Sequence, residues 1–496
     1  MDVQEYMGYD ATGLAELVAS KQVTAAELLE LARKRAAEVN PKTNSIVIPV
    51  EKEADAQVAD GATPSGPFGG VPFLIKDLAQ EYKGYPTTMG SRALKNFVAD
   101  ENALVVDRFL AAGLVIFGKT NTPEFGAKGI TESELWGPCR NPWDLGRTPG
   151  GSSGGSASAV AAGIVPAAGA NDGGGSIRIP AGCNGLVGLK PSRGLAPYGP
   201  QTNEPMFGMA VQGVVARTVR DNAGLFDQII GHTPNSDYNG QLPEVPFAEL
   251  IKSAPGKLKI GYSAKSAITD SPDPEAVKAL ETTAQLLTEL GHEVEEIDPP
   301  YDDKALAADF LTIWFAQVAG GVALAREETG AKYADFEADT LAMAELGRSN
   351  GVVEAAKAMA HNIDYIRAIS NFHENYDYFL TPTISRRPVK IGELDTSPAL
   401  EKGARIVHAL RGGKLLLKSG ILEEMVEDNL GWVPYTQMAN LTGRPAINVP
   451  LYWTEDGMPL GVQFNGRLGS DGALLQLAAQ LEEAKPWAQR HPAPVK

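Results

Sequence analysis

Two serines and one lysine have the residue types and surroundings that nucleophilic catalysis needs. Ser152 lies in a run of glycine and serine, Ser176 follows three consecutive glycines, and Lys76 ends a short apolar run. A serine hydroxyl is a weak nucleophile until a base removes its proton. The position of Lys76 after an apolar run predicts that this base is a lysine, whereas no histidine stands in a comparable setting.

The glycines before Ser176 predict a tight turn with converging N–H groups. These N–H groups, from Gly173, Gly174, Gly175 and Ser176, are the kind of donors that stabilise the oxyanion of a tetrahedral intermediate. Ser176 is predicted to open the following helix, where the helix N-terminus places a positive field at its hydroxyl. The alternative is a glycine turn in which Ser176 is an ordinary N-cap.

Residues 71–75 predict a short buried strand that ends at Lys76. Burial lowers the pKa of a lysine from about 10.4, so a neutral, basic amine comes within reach. The alternatives are an ion pair with Asp77 or an ammonium group that reaches water. A salt bridge between Asp172 and Arg178 would brace the glycine turn, and the alternative there is two solvated charges.

Two common motifs match the chain formally. Residues 113–120 fit the P-loop pattern, but Leu, Val, Ile and Phe lie between its glycines and predict a buried strand instead of a phosphate loop. Residues 151–155 fit G-x-S-x-G with Ser153 as the nucleophile, which requires a histidine partner. Six histidines lie downstream, none in a distinctive setting, so a role for Ser153 stays open.

Composition excludes several function classes. The 496 residues carry a net charge of −17, which disfavours nucleic-acid binding, and the hydrophobic content of 43% is that of a globular protein. Two cysteines cannot form a disulfide framework and fit a reducing compartment. The N-terminus lacks a signal-peptide pattern, and no uninterrupted apolar stretch reaches the length of a membrane span. A soluble, cytoplasmic protein with no membrane partner is therefore predicted.

The elements that position these residues alternate between helices and strands. A capping box at Thr24 begins a helix that Pro41 is expected to end. The pattern predicts an α/β fold in one domain over 1–496, with a mainly helical peripheral region around 300–375. Helices are predicted over 12–39 (in two pieces), 103–112, 273–290, 304–375 and 470–485, and strands over 45–48, 71–75, 114–117, 258–262, 292–297, 378–381, 446–449 and 460–464.

Together these segments resemble the amidase signature family. The resemblance covers most of the chain, and the joint order and spacing of its motifs are specific. It implies a single α/β domain built on a twisted mixed β-sheet covered by helices. The matching motifs lie at residues 70–72, 118–121, 150–155, 172–180, 185–191, 380–383 and 440–446.

The resemblance also implies roles. Ser176 matches the family's nucleophile, Ser152 its bridging serine on a cis peptide bond, and Lys76 its base, which leaves Ser153 without a catalytic role. Neutral Lys76 would deprotonate Ser152, and Ser152 would deprotonate Ser176, which attacks the amide and forms an acyl-enzyme. The N–H groups from Gly173 to Ser176 would hold the oxyanion. Neither a metal nor an organic cofactor is expected.

Within the family, the chain is similar to 6-aminohexanoate cyclic-dimer hydrolases and related amidases. This implies a small, hydrophobic linear or cyclic amide as substrate. Gly126 and Ala127 match a substrate-contacting loop. Trp314, with Phe310 and Phe315, is a candidate for the pocket wall, although all three would also suit a helix core.

Other functions share these motifs. One alternative is the amidotransferase subunit that works on misacylated tRNA within a complex. A second is an esterase or carbamate hydrolase that uses the same site, and a third is a non-catalytic scaffold. The oligomeric state is open, with a homodimer among the expected assemblies.

Overall fold

A mixed sheet of eleven strands forms the centre of the computed structural model, which describes residues 1–269, 271–414 and 429–493. The strand order is β1-β3-β2-β6-β8-β7-β12-β13-β11-β9-β10, and β4 and β5 form a separate pair. The strands are β1 (Ile46–Pro49), β2 (Pro72–Lys76), β3 (Val115–Thr120), β4 (Glu132–Ser133), β5 (Gly137–Pro138), β6 (Ala167–Asp172), β7 (Val187–Lys190), β8 (Val211–Ala216), β9 (Lys259–Tyr262), β10 (Glu293–Glu296), β11 (Tyr378–Pro382), β12 (Ala446–Trp453) and β13 (Pro459–Asn465).

Helices cover this sheet. In the described ranges, four short 3₁₀ turns lie between them, at Ala59–Gly61, Arg92–Leu94, Glu124–Gly126 and Tyr333–Asp335. The described helices are α1 (Val3–Gly8), α2 (Ala11–Ala19), α3 (Ala25–Thr43), α4 (Glu51–Val58), α5 (Leu104–Ala111), α6 (Gly154–Ala161), α7 (Arg178–Asn184), α8 (Val219–Ile229), α9 (Phe247–Leu250), α10 (Pro274–Glu289), α11 (Asp303–Thr329), α12 (Ala338–Phe372), α13 (Pro398–Leu410), α14 (Gln437–Leu441) and α15 (Asp471–Ala484). The predicted α/β class with a mixed sheet is confirmed.

The start of α3 is confirmed and its predicted end is wrong. Thr24 and Glu27 form the expected capping box. Pro41 lies inside the helix, which continues to Thr43. Asn44 caps the helix in the left-handed conformation, and its N–H donates to the Asn40 carbonyl at 2.8 Å. The Asn40 side chain then accepts from the N–H groups that lead into β1. Proline removes the N–H that would donate to the Ala37 carbonyl, and the Asn44 N–H bond to Asn40 still closes the final turn.

The formal P-loop match is a strand, as predicted. Its residues from Val115 to Thr120 are β3, and all six are buried. Lys119 is fully buried as well: its Nζ donates to the carbonyl of Pro86 at 2.7 Å and to the hydroxyl of Thr87 at 2.7 Å. No flexible phosphate-binding loop exists at this position.

The longest helices, α11 and α12, occupy most of the 300–375 range and form a second hydrophobic core. Phe310 and Phe315 of α11 pack there with Met343 and Leu346 of α12. Phe379 of strand β11 belongs to the same cluster, so the helical pair is attached to the central sheet through apolar contacts.

Within the described ranges, α11 is the one helix long and apolar enough to cross a membrane if only length and composition are considered. Of its most apolar stretch, 44% is buried inside the protein. A core helix passes the same test, and α11 supplies Phe310 and Phe315 to the second core. The absence of a membrane partner and the cytoplasmic location stay predictions.

Gly347 sets how closely α11 and α12 approach, and this generates a stability prediction. A Cβ at Gly347 would overlap the backbone carbonyl of Phe315. Gly347→Ala should therefore lower the free energy of unfolding by about 1–3 kcal/mol, the usual cost of overpacking. Chemical denaturation measures this. The matched control is Gly320→Ala in α11, where a Cβ meets nothing within 4 Å, and which should stabilise by about 0.5–1 kcal/mol. Equal effects of the two substitutions would contradict the close approach.

Candidate active site

Lys76 and the loop that carries Ser176 lie at the same edge of the sheet. Strands β2 and β6 are parallel neighbours, paired at Leu74 and Ala168. Because parallel strands end at a common edge, Lys76 at the end of β2 lies beside Asn171 near the end of β6. The Lys76 amine donates a hydrogen bond of 2.8 Å to Asn171 Oδ1.

The structure brings Lys76 and Ser152 into contact. Lys76 Nζ lies 2.7 Å from Ser152 Oγ, and both side chains are buried. Burial holds the pKa of Lys76 well below its usual value, and the charge of Asp172 offsets only part of this effect. The alternative ion pair with Asp77 does not form, because the Asp77 carboxylate lies 3.2 Å from Lys119 Nζ.

Ser152 is held between a helix start and a glycine. It lies two residues before α6, and the Gly151–Ser152 peptide bond is cis. Gly126, whose φ is +65°, packs against it: a Cβ there would lie 3.1 Å from Ser152 Oγ. This close approach explains why the loop before Ala127 needs glycine at this point.

The Ser153 hydroxyl bonds to the backbone of Asn171 and has no hydrogen bond to Lys76 or Ser152 among the described residues. The residue is fully buried, and its hydroxyl donates to the Asn171 carbonyl at 3.2 Å. Among the described residues, no histidine forms a hydrogen bond with Ser153; His292, for example, contacts Gln480 and the backbone of Leu258. The geometry therefore gives the Ser153 alternative no partner.

The Ser176 loop is organised by a buried ion pair. Arg178 Nε and Nη2 donate to the two carboxylate oxygens of Asp172 at 3.0 and 3.1 Å, and neither side chain is exposed. The same carboxylate accepts from the N–H groups of Gly175 at 2.7 Å and Ile177 at 3.2 Å. The predicted salt bridge is confirmed, and its carboxylate fixes the backbone conformation of the turn.

This ion pair has a complete set of hydrogen-bond partners. Arg178 also donates to the Thr436 carbonyl, to Gln463 and to Asn440, at 2.7–3.0 Å. Burial alone would raise the pKa of Asp172, but the charge and hydrogen bonds of Arg178 outweigh it and lower the pKa to about 2. Asp172 is therefore charged across the physiological range.

The prediction that Ser176 opens the next helix is wrong, as is its alternative as an N-cap. Helix α7 begins at Arg178, its N-cap residue is Ile177, and no side chain caps it. An N-cap side chain accepts from the N–H two or three residues later, but the Ile179 N–H donates to the Gly175 carbonyl at 2.7 Å, and Asp172 takes the Ile177 N–H. Ser176 is 7% exposed, and its carbonyl accepts from the Ser153 N–H at 3.3 Å.

Ser176 lines a narrow cavity of about 50 Å³, room for a few water molecules. The predicted contact residues Gly126, Ala127 and Trp314 lie on its wall. Phe310 and Phe315 line it too while belonging to the second core, so both interpretations of these aromatic residues hold. The other lining residues are Lys128, Gly129, Gly174, Ile179, Leu311, Met343, Asn429, Leu430, Val433 and Gln437.

Sequence reasoning missed the polar residues around the reactive groups. Asn171 donates through Nδ2 to the Leu78 carbonyl at 2.7 Å, which orients its oxygen toward Lys76. Thr436 donates through Oγ1 to the Gly174 carbonyl at 2.6 Å. The one sequence feature that could have indicated Asn171 is its position directly before Asp172. Thr436 contacts the loop from a distant part of the chain, so no local pattern indicates it.

Comparisons with known proteins agree along the whole chain. The amidase family model matches residues 27–475. The chain is 37% identical to a 6-aminohexanoate-cyclic-dimer hydrolase of Pseudomonas sp. (strain NK87), over 97% of this chain and 96% of that protein. It is 32% identical to an acylamidase of Rhodococcus erythropolis over 99% of both. A solved structure of 6-aminohexanoate cyclic dimer hydrolase complexed with substrate has a TM-score of 0.90 at 35% identity, covering 99% of this chain and 100% of that one.

The buried ion pair generates a stability prediction. Arg178→Met leaves Asp172 buried without its counter-charge and should lower the free energy of unfolding by about 3–5 kcal/mol. Since the folded-state pKa of Asp172 is lowered to about 2, its contribution in the wild type is complete above about pH 4 and is lost as the pH falls toward 2. Chemical denaturation across this pH range should show that dependence in the wild type and its reduction in the variant.

The control is an exposed pair. Arg367 and Asp364 are each 65% exposed, so Arg367→Met should change the free energy of unfolding by about 0.5 kcal/mol or less. A comparable loss in both variants would contradict a special contribution from the buried pair.

Proposed function

Since the chain belongs to the amidase family and hydrolyses amide bonds, we propose that it acts on small, hydrophobic linear or cyclic amides through Lys76, Ser152 and Ser176. The observation that carries the proposal is the 2.7 Å contact between a fully buried lysine amine and Ser152, beside a cavity lined by Ser176. A desolvated, neutral amine within hydrogen-bond distance of a hydroxyl can act as a general base and take its proton.

Lys76 is the base in this proposal. A neutral amine has two N–H groups and one lone pair. Asn171 Oδ1 accepts one N–H at 2.8 Å, which orients the amine so that its lone pair can face Ser152 Oγ. Ser152 gives its proton to Lys76 and takes the proton of Ser176, whose oxygen attacks the substrate carbonyl.

The oxyanion is held by backbone N–H groups of the Ser176 loop. Gly173, Gly174 and Ser176 are the proposed donors, since among the described residues none of their N–H groups has a hydrogen-bond acceptor. The Gly175 N–H donates to Asp172, so this fourth candidate serves the shape of the turn. Its φ of +126° and the overlap of any Cβ with Thr436 require glycine there.

The reaction then follows an acyl-enzyme route. The bond between Ser176 Oγ and the acyl carbon forms, the carbon–nitrogen bond breaks, and the leaving nitrogen receives its proton from Ser152, which is reprotonated by Lys76. Water enters, gives its proton through the same two residues, and releases the acid from Ser176. At the end of the cycle Lys76 is neutral and both serines are protonated again; the proton of Ser176 has left with the amine and is replaced by one from water.

The cavity wall supports a neutral, apolar substrate. The rings of Trp314 and Phe310 pack against each other beside Gly173 and Gly174, with centroids 5.3 Å apart and planes inclined by 31°. Lys128 is the one cation on the wall among the described residues, and it is paired with Asp339. The similarity to a cyclic-dimer hydrolase supports including cyclic amides in the proposed class.

The first test is hydrolysis by the purified chain alone of a panel that holds a cyclic diamide, a linear amide, an anilide and an ester. Ser176→Ala should abolish activity, and Ser152→Ala and Lys76→Ala should lower kcat by at least about 100-fold, because each removes a proton-transfer step. Activity of the isolated chain would disfavour the amidotransferase alternative, which needs partner chains. A preference for the ester in kcat/KM would favour the esterase alternative.

The matched control is Ser153→Ala. Ser153 neighbours Ser152 and is equally buried, yet its hydroxyl bonds only the Asn171 backbone, so most of the activity should remain. Loss of activity in Ser153→Ala with retention in Ser176→Ala would reverse the assignment of the nucleophile.

The pH profile tests Lys76 independently. The neutral amine is the active form, so kcat/KM should rise with pH through the pKa of Lys76, which lies well below its ordinary value. Asn171→Asp places a negative charge beside the amine, stabilises the ammonium form and raises that pKa. The acid limb of the kcat/KM profile should therefore move to higher pH. Asn235→Asp, the same charge change at an exposed position, should leave the limb in place; an unshifted limb in Asn171→Asp would contradict the role of Lys76.

A further inference from the structure

Gln437 lines the Ser176 cavity and carries a buried hydrogen-bond acceptor that has no partner among the described residues. The residue is 2% exposed and lines that cavity. Its Nε2 donates to the Val433 carbonyl at 3.0 Å. Its Oε1 is buried and has no hydrogen-bond partner among the residues that the structure describes. A buried acceptor left in this condition costs free energy that a ligand donor would recover.

The orientation of this amide is determined by its neighbour. The Val433 carbonyl can only accept, so Gln437 must present its nitrogen there. Exchanging the two ends of the amide would set oxygen against oxygen. The acceptor Oε1 is therefore the end that lacks a partner.

Gln437 is also tied to the reactive loop on both sides. The preceding residue, Thr436, donates to the Gly174 carbonyl at 2.6 Å. Asn440, on the same short helix, donates to the backbone and side-chain oxygens of Asp172 at 3.0 and 2.9 Å. These bonds hold Gln437 at a set position relative to Ser176, as a specificity contact requires.

The apolar residues around this acceptor make it selective for a ligand that carries a hydrogen-bond donor. Ile179, Leu430 and Val433 are apolar lining residues, and an acceptor among apolar groups favours a ligand that carries a donor. The scissile nitrogen must lie beside Ser152, which delivers its proton and packs behind Gly126. The donor that meets Gln437 therefore belongs to another part of the substrate.

We propose that Gln437 Oε1 accepts the N–H of a second, non-reacting amide of the substrate, so that small apolar diamides are preferred over monoamides of the same size. This inference rests on the proposed amide hydrolysis at Ser176 and deepens it. Gln437 is a specificity-determining residue here and takes no part in the chemical step.

The test uses chromogenic substrates whose scissile bond is unambiguous. N-acetyl-ω-amino acid 4-nitroanilides with two to five methylenes release nitroaniline from one amide and keep the acetamide as the second. Each is compared with its analogue methylated on the acetamide nitrogen. In the wild type, kcat/KM should be about tenfold or more higher for the N–H form at the best spacer length.

Gln437→Met keeps the side-chain length and removes the acceptor. It should lower kcat/KM for the N–H substrate to that of the methylated analogue and bring the ratio to about one. The matched control is Met343→Leu, an apolar wall residue, which should change both substrates alike and keep the wild-type ratio. Thermal unfolding of each variant confirms that the comparison is made on folded protein.

Two results would overturn the inference alone, and a third would overturn the proposed function with it. A wild-type ratio near one at every spacer length would do so without any variant. A ratio that survives in Gln437→Met would assign the discrimination to another group. Hydrolysis of both substrates at equal rates, abolished in each case by Ser176→Ala, would reject the Gln437 contact while the proposed function stands, whereas hydrolysis of neither would reject both.

Discussion

The buried ion pair between Asp172 and Arg178 is the interaction on which the rest of the site depends. One carboxylate holds the N–H groups of Gly175 and Ile177 and so shapes the loop around Ser176. The guanidinium reaches Asn440 on α14 and Gln463 on β13. Because a charge this deep is tolerated only when every polar atom has a partner, these distant segments must converge on the Ser176 loop. The cavity wall, including Gln437, is placed by the same convergence.

Two buried lysines, Lys76 and Lys119, differ in the groups that their amines contact, and this difference separates a base from a structural cation. Lys76 and Lys119 end neighbouring parallel strands and are both fully buried. Lys119 lies against the carboxylate of Asp77 and backbone and hydroxyl oxygens, which suits a structural cation. Lys76 contacts only the neutral groups of Ser152 and Asn171, so burial lowers its pKa and the amine can serve as a base. The residue type is the same, and the neighbouring oxygen determines the role.

Local patterns predicted much of the fold and part of the site. The apolar run before Lys76 and the capping box at Thr24 act within one turn or strand, and both were predicted correctly. The errors arose where a distant or competing contact changed the local preference. Pro41 is predicted to end a helix that continues through it. Ser176 is predicted to start a helix, but the Ile179 N–H that it would cap donates to the Gly175 carbonyl instead.

The sequence by itself determined which reactive groups exist and which strand, turn or helix start carries each, because glycine runs, apolar runs and caps act between near neighbours. Only the tertiary structure decided which groups meet. Lys76 and Ser152 are separated by 76 residues and Thr436 and Gly174 by 262, and no local preference specifies such pairings. They follow from strand order, from burial and from the requirement that the buried charge of Asp172 and Arg178 be satisfied by groups brought from across the chain.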